Sequence, residues 1–257
     1  MLLNNKHIVV AGGTSGIGLA ASKYFADKGA KVVAVGKEFP NLPSSNGSIE
    51  YLFLDLKEEG NCKQAIDHCI EHYGDFDGLF HVAGGSGRSF GDGPLHEMSL
   101  DAWRATLQLN LETMMISNRE AISAFLNKGK RGSIVNLSSV LATHPSPAFF
   151  STHAYAAAKA AIIGLSTAAA AHYAKHNIRI NVISPGLVET PMSARATTDP
   201  AIMNFVKSKQ PLDGGRIGRP EEIAPMAALL LSDEGSFITG QTIHIDGGWS
   251  VSEGQHS

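Results

Sequence analysis

The groups in this chain best suited to moving a proton are Tyr155 and Lys159, in the run Tyr-Ala-Ala-Ala-Lys, and Ser139, sixteen positions upstream. Residues four apart on a helix share one face, so a phenol and an ammonium at this spacing meet the same ligand. A free tyrosine ionises near pH 10, and a neighbouring cation favours its phenolate; each unit of depression requires about 1.4 kcal/mol of differential interaction. Hydride transfer between a carbinol carbon and a nicotinamide needs such an acid/base on the oxygen. The run Ile134-Val135-Asn136-Leu137-Ser138-Ser139 places hydroxyls at the carboxyl end of an apolar strand, where they can steady charge developing on that oxygen. Either serine suits that role. Each piece also has an ordinary reading, a helix-surface pair and a strand-ending turn, so their joint context decides.

A second constellation lies near the start, Ala11-Gly12-Gly13-Thr14-Ser15-Gly16-Ile17-Gly18. It follows an apolar run and opens a helical pattern. Gly12 suits a tight turn, Gly16 lets backbone approach a pyrophosphate, and Gly18 lets the helix close on the strand; the helix N-terminus then holds the anion. No Gly-Lys-Ser/Thr follows, which excludes a P-loop. The next apolar run ends Val35-Gly36-Lys37-Glu38. An acid at its end would bind a ribose 2′-hydroxyl and repel a 2′-phosphate. Gly36 stands in that place and Lys37 offers a cation beside Glu38, so the expected cofactor is NADP(H) in preference to NAD(H).

These groups need a scaffold, and the rest of the chain supplies one. Continuously apolar, β-branched runs at 7–11, 31–35, 51–54, 78–82, 133–137, 178–183 and 242–245 read as strands covered on both faces. Helical patterns lie between them, at 17–28 before Gly29, then 61–73, 100–127, 155–175 and 221–231. The alternation predicts an α/β fold, a doubly wound parallel sheet flanked by helices, in one domain spanning 1–257. Two stretches break the rhythm: a turn-rich segment at 39–48, and 187–218, which carries Pro191, Pro200, Pro211 and Gly214-Gly215 with a short helix near 201–209. The latter reads as a substrate lid.

Together these residues resemble the short-chain dehydrogenase/reductase family over nearly the whole chain. The matching positions are Gly12-x-x-x-Gly16-x-Gly18, Asp55, Ala83-Gly84, Asn110, Ser139, Tyr155-x-x-x-Lys159, Asn181-x-x-x-Pro185-Gly186-x-x-x-Thr190 and Asp246-Gly247-Gly248. The resemblance implies a Rossmann-type sheet of about seven strands and a proton relay. In it Tyr155 is the general acid/base, Ser139 positions substrate, Lys159 grips the nicotinamide ribose, and Asn110 holds a water beside Lys159. It further implies cofactor contacts from Thr14, Ser15, Ile17, Asp55, Leu56, Ala83, Gly84, Pro185, Gly186, Val188 and Thr190, with Asp55 at the adenine and Thr190 at the carboxamide end. Homotetramers built through the long helices and the C-terminal segment are also implied. Departures from the pattern are Ala11 in place of a threonine, His81-Val82 in place of an Asn-Asn pair, and extra length between Ser139 and Tyr155.

Composition narrows the setting. The 257 residues carry 21 Lys+Arg against 24 Asp+Glu, a net of −3, with 43% hydrophobic residues. Nucleic-acid and anionic-membrane partners are not expected from such a balance. No uninterrupted apolar run approaches the roughly 18 residues of a membrane span. The start shows no apolar signal region, and two cysteines, Cys62 and Cys69, lie about 10 Å apart along one helix, too far to pair. A cytoplasmic protein is expected. The i,i+4 pairs His68/His72 and His172/His176 lack a third ligand nearby in sequence, so no metal is expected. The resulting expectation is an NAD(P)(H)-dependent oxidoreductase interconverting a carbonyl and a secondary alcohol on a small molecule. Its alternatives are a catalytically silent dinucleotide sensor and a diol dehydrogenase giving an aromatic catechol.

Overall fold

The computed structural model describes residues 1–37 and 47–254. In β1 (His7–Ala11), Ile8 and Val10 face one side of the sheet and Val9 and Ala11 the other, and all four are buried. That double burial is why this run is apolar at every position instead of alternating. The remaining strands are β2 (Lys31–Gly36), β3 (Ile49–Phe53), β4 (Gly78–His81), β5 (Gly132–Leu137), β6 (Ile178–Pro185) and β7 (Thr242–Ile245). They form one parallel sheet in the order β3-β2-β1-β4-β5-β6-β7. The chain winds outward from β1 and then returns to β4, so the direction reverses between β1 and β4. Side chains at the carboxyl ends of these two strands border a crevice, the place where such sheets bind ligands.

Helices α1 (Gly16–Asp27) and α8 (Ala224–Leu231) cover one face, burying Ala21, Phe25, Ala227 and Leu230 with Ile8 and Val10. On the other, α2 (Asn61–Tyr73), α4 (Thr113–Asn127) and α5 (His153–Tyr173) bury Ala65, Ile66, Ala121, Phe125 and Ala170 with Val9 and Val33. Cys62 and Cys69 are free and buried in α2, and burial pushes their thiols up to about 11 and about 12.

Two helical patterns divide differently from the sequence expectation. The pattern at 100–127 divides into α3 (Leu100–Leu107), a π-helical turn at Gln108–Glu112 and α4. The segment at 221–231 starts as a 3-10 turn, Pro220–Glu222, because Pro225 can occupy only the first turn of α8. Residues 38–46, with Glu38 and most of the turn-rich segment at 39–48, lie outside the described residues. The stretch 187–218 holds two helices, α6 (Ala194–Thr197) and α7 (Pro200–Lys209). A parallel bridge between Val188 and Gly218 closes its base. Helix α5, continued through His176, is the one described helix long and apolar enough to cross a membrane; here Ala158, Ile162, Ser166 and Ala170 are buried as it packs on β6.

Candidate active site

The glycine turn connects β1 to α1. Gly12 lies at φ +87°, and a Cβ there would come within 2.6 Å of the Ala83 nitrogen. Gly18 packs so closely that a Cβ would overlap the Gly12 carbonyl oxygen. Each position therefore requires glycine, for conformation at the first and contact at the second. The N-cap, Ser15, makes no side-chain cap, and no acid occupies the first turn of α1. Its free N–H groups and positive dipole end consequently face the cleft, as a pyrophosphate requires. The chain thus fits a dinucleotide.

A cavity of about 620 Å³ extends from that turn along the carboxyl ends of β4, β5 and β6. Of the expected residues, Gly12, Ser15, Gly16, Ile17, Ala83, Gly84, Ser139, Tyr155, Lys159, Pro185, Gly186, Val188 and Thr190 line it. Thr14, Gly18 and Asn110 do not border it, but Gly18 packs on Gly12 and Asn110 on Gly85, which do. Lys37, Asp55 and Leu56 do not border it. Leu56 is a buried core residue, and Lys37 and Asp55 pair with each other at 3.1 Å. Burial alone would raise the Asp55 carboxyl, but the Lys57 N–H and the Lys37 ammonium hold it below its usual range. A carboxylate already engages the cation expected to meet a 2′-phosphate. The missing acid at Gly36 has a steric cause: a Cβ there would overlap the Thr14 hydroxyl.

At the catalytic end the two serines separate. Ser138 donates to the Lys159 carbonyl at 2.7 Å and ties β5 to α5. Ser139 accepts from the Leu141 N–H at 3.2 Å, and its hydroxyl favours the Tyr155 phenolate. Lys159 is buried, 3% exposed, and its Nζ donates to the Leu137 carbonyl at 2.9 Å while lying 5.6 Å from the Tyr155 ring centre. Burial pushes Lys159 down to about 8. The expected acidification of Tyr155 by Lys159 is not what this geometry gives. Burial raises the phenol above its ordinary value, Ser139 opposes this in part, and the ammonium is directed at Leu137. Desolvation of the phenolate outweighs the stabilisation available from these neighbours.

Asn110 sits on the π-turn, fully buried, and grips Gly85 twice: its Oδ1 accepts from the Gly85 N–H at 3.1 Å and its Nδ2 donates to the Gly85 carbonyl at 2.9 Å. The extra residue in that turn aims the side chain across to the strand-four loop. A Cβ on Gly84 would lie 2.6 Å from Asn110 Oδ1 and 3.5 Å from Lys159 Nζ, so both groups flank this one glycine.

Asp92, Trp249 and Gln210 are contributors the sequence did not single out. Asp92, 5% exposed, accepts the Ala154 and Tyr155 N–H groups at 3.0 and 2.9 Å, holding the first turn of α5 and with it the phenol. Its partners lie 62 and 63 positions away, beyond any local pattern. Trp249, 1% exposed, forms part of the cavity wall through a C-terminal turn organised by Asp246, whose oxygens accept the Gly248 and Ser250 N–H groups. His81 is buried with both ring nitrogens lacking a hydrogen-bond partner, and burial together with Lys159 holds it down at about 3. Gln210, 2% exposed, latches the base of 187–218 by accepting from Leu187 N–H at 2.6 Å and donating to the Arg216 carbonyl at 3.1 Å. The paired histidines form no metal cluster among the described residues; His68 and His72 stack at 5.5 Å.

Known proteins resemble this chain over nearly its whole length. The family model described as enoyl-(acyl carrier protein) reductase matches residues 11–250. A 2,5-dichloro-2,5-cyclohexadiene-1,4-diol dehydrogenase from Sphingobium indicum is 34% identical, covering 97% of this chain and 98% of its own. A 3-oxoacyl-[acyl-carrier-protein] reductase from Thermotoga maritima is also 34% identical, with 96% and 99% covered. Among solved structures, a short-chain type dehydrogenase/reductase from Mycobacterium ulcerans superposes with a TM-score of 0.87 at 32% identity over 98% of this chain and 92% of the other. An aldohexose dehydrogenase from Thermoplasma acidophilum gives 0.85 at 30%, over 99% and 98%. Sequence, sheet order and cleft agree: the chain belongs to the short-chain dehydrogenase/reductase family and is an NAD(P)-dependent oxidoreductase acting on alcohols and carbonyl compounds.

Proposed function

We propose that Tyr155 is the general acid/base of this oxidoreductase, with Ser139 and Lys159 as its partners and Asn110 as the group that fixes the loop facing them. The observation that carries the reading is that Ser139, Tyr155 and Lys159 border the same cavity as the uncapped N-terminus of α1. A nicotinamide dinucleotide supplies or accepts the hydride. Ser139 and Tyr155 hold the substrate oxygen between their hydroxyls, and in reduction the Tyr155 hydroxyl delivers its proton to that oxygen. Lys159, cationic below about pH 8, favours the phenolate left behind once its ammonium turns from Leu137 toward the cleft. In oxidation the same groups run in reverse.

NADP(H) is the preferred cofactor in this reading, supported by glycine at position 36 and by Lys37, whose side chain is 65% exposed and free to exchange Asp55 for a phosphate. Binding of NADPH and NADH to wild type and Lys37→Ala tests this: NADPH affinity falls tenfold or more and NADH affinity does not, whereas equal losses contradict it. The segment 187–218 serves as the lid, hinged at the Val188–Gly218 bridge. The substrate is a small carbonyl or hydroxyl compound. A cyclic diol is the second reading, favoured by the Sphingobium relative and by the aromatic wall of Phe150 and Trp249, and product analysis separates the two. We place the protein in the cytoplasm, consistent with its two free thiols, and as a homotetramer through α4 and α5, where Met115 and Leu165 are exposed.

Replacement Tyr155→Phe tests the central assignment. On a panel of ketones and aldehydes we expect turnover to fall by about 10²–10⁴, with NADPH affinity within a few-fold of wild type. Dinucleotide binding by both proteins, with turnover by neither, would instead support a silent sensor.

A further inference from the structure

Two guanidinium groups at the cleft mouth form no ion pair with any described carboxylate. Arg88, in the 3-10 turn Arg88–Phe90, and Arg195, in α6, come from segments distant in sequence, and both line the cavity. Each donates through Nη2 to one shared acceptor, the Phe149 carbonyl, at 3.3 and 3.4 Å. Among the described residues neither has a carboxylate within 4.0 Å, although Arg216 nearby in the chain engages Asp213 and Glu222 at 2.7 Å. Asp92 attracts Arg88 from further off, but its oxygens are committed to the α5 N–H groups. Burial and the facing Arg195 both push Arg88 below its usual range.

The cavity itself sharpens the imbalance. Among the described residues no acidic side chain lines it, whereas Arg88, Arg195 and Lys159 do. A cleft lined by one sign of charge concentrates the opposite sign. The wall also carries Phe150 and Trp249, 5.8 Å apart, and Phe205 packs on Trp249 at 5.6 Å. Two guanidinium forks sharing a single neutral acceptor leave N–H donors free for paired oxygens.

Resting on the reading that this cavity holds the reacting carbonyl, we propose that Arg88 and Arg195 jointly bind an anionic oxygen group of the substrate. The substrate class is then an apolar or aromatic carbonyl or hydroxyl compound bearing a carboxylate or a phosphate ester. Both anions present the same paired oxygens to a guanidinium.

The test uses the intact enzyme with NADPH and matched ketones: benzoylformate and 4-acetylbenzoate against their methyl esters, and 4-acetylphenyl phosphate against 4-methoxyacetophenone. At low salt at least one anionic ketone should exceed its neutral partner tenfold or more in kcat/KM, and the arm that does so distinguishes carboxylate from phosphate. In Arg88→Gln and Arg195→Gln that preference should shrink at least tenfold, mainly through KM, with Arg88→Lys intermediate and NADPH affinity held within twofold. Neutral partners preferred or equal in all three pairs would overturn the proposal. So would an equal loss on both members of a pair, or a loss of NADPH affinity matching the loss of selectivity. If no ketone of either kind is turned over, the oxidoreductase assignment of this cleft fails, and calorimetry of the anions on wild type and both glutamine variants decides the arginine site separately. Binding that the variants abolish upholds it, and absent or unchanged binding overturns it.

Discussion

At the scale of residues, neighbours set what each group does. Gly36 is glycine because Thr14 fills the space a side chain would need. Gly36→Ala should cost about 1–3 kcal/mol, measured by urea unfolding, and Thr14→Ala in the same chain should recover part of it. His81 gives a second prediction. The folded chain keeps its imidazole neutral down to about pH 3, while an unfolded histidine takes its proton near pH 6.5. Between those values the unfolded chain binds more protons, so stability falls as pH drops from about 6.5 toward 3. Replacing His81 by Asn should flatten the decline of Tm between pH 6.5 and 4.5; an unchanged slope would mean the imidazole is solvated. The sequence singled out Tyr155, Lys159, Ser139 and the glycines, which border one cavity or pack on its lining, because their chemistry is local in spacing. It did not reveal whether the phenol is acidified, since that depends on where the Lys159 ammonium points.

At the scale of elements, α5 carries the phenol and lysine, and three separate groups fix its position. Ser138 holds its carbonyl at Lys159, Asp92 caps its first turn, and its buried alanines seat it on β6. The cap is the most exposed to test. Asp92→Ala leaves two buried N–H groups unpaired and should cost about 1–3 kcal/mol, lower kcat more than it raises KM, and leave NADPH affinity near wild type. Asp92→Asn, which keeps one acceptor oxygen, should fall between; a full loss of cofactor binding would mean the substitution disrupts the glycine turn instead. Strand positions were legible because burial on both faces makes them continuously apolar. The break of the 100–127 pattern at Gln108–Glu112 was not, because a π-turn leaves the apolar periodicity nearly intact while moving Asn110 onto Gly85.

At the scale of the whole molecule, the parallel sheet aligns strand ends so that groups from positions 12 to 249 border one cavity. The alternation of strands and helices made this architecture readable, whereas Trp249 and the arginine pair became visible only when distant segments met. The proposed assembly predicts a particle of four times the 27.2 kDa chain mass by light scattering, and Leu165→Glu should reduce it. A wild-type monomer would place the exposed α4 and α5 side chains at no subunit contact. The most direct test of the account is an ultraviolet difference titration of wild type against Tyr155→Phe, reading tyrosinate formation at one residue. Without cofactor, Tyr155 should ionise above pH 10, as its burial requires, and with NADP⁺ bound its midpoint should fall by at least one unit as positive charge enters the cleft. A midpoint unmoved by NADP⁺ would contradict the assignment of Tyr155 as the group whose proton moves with the hydride.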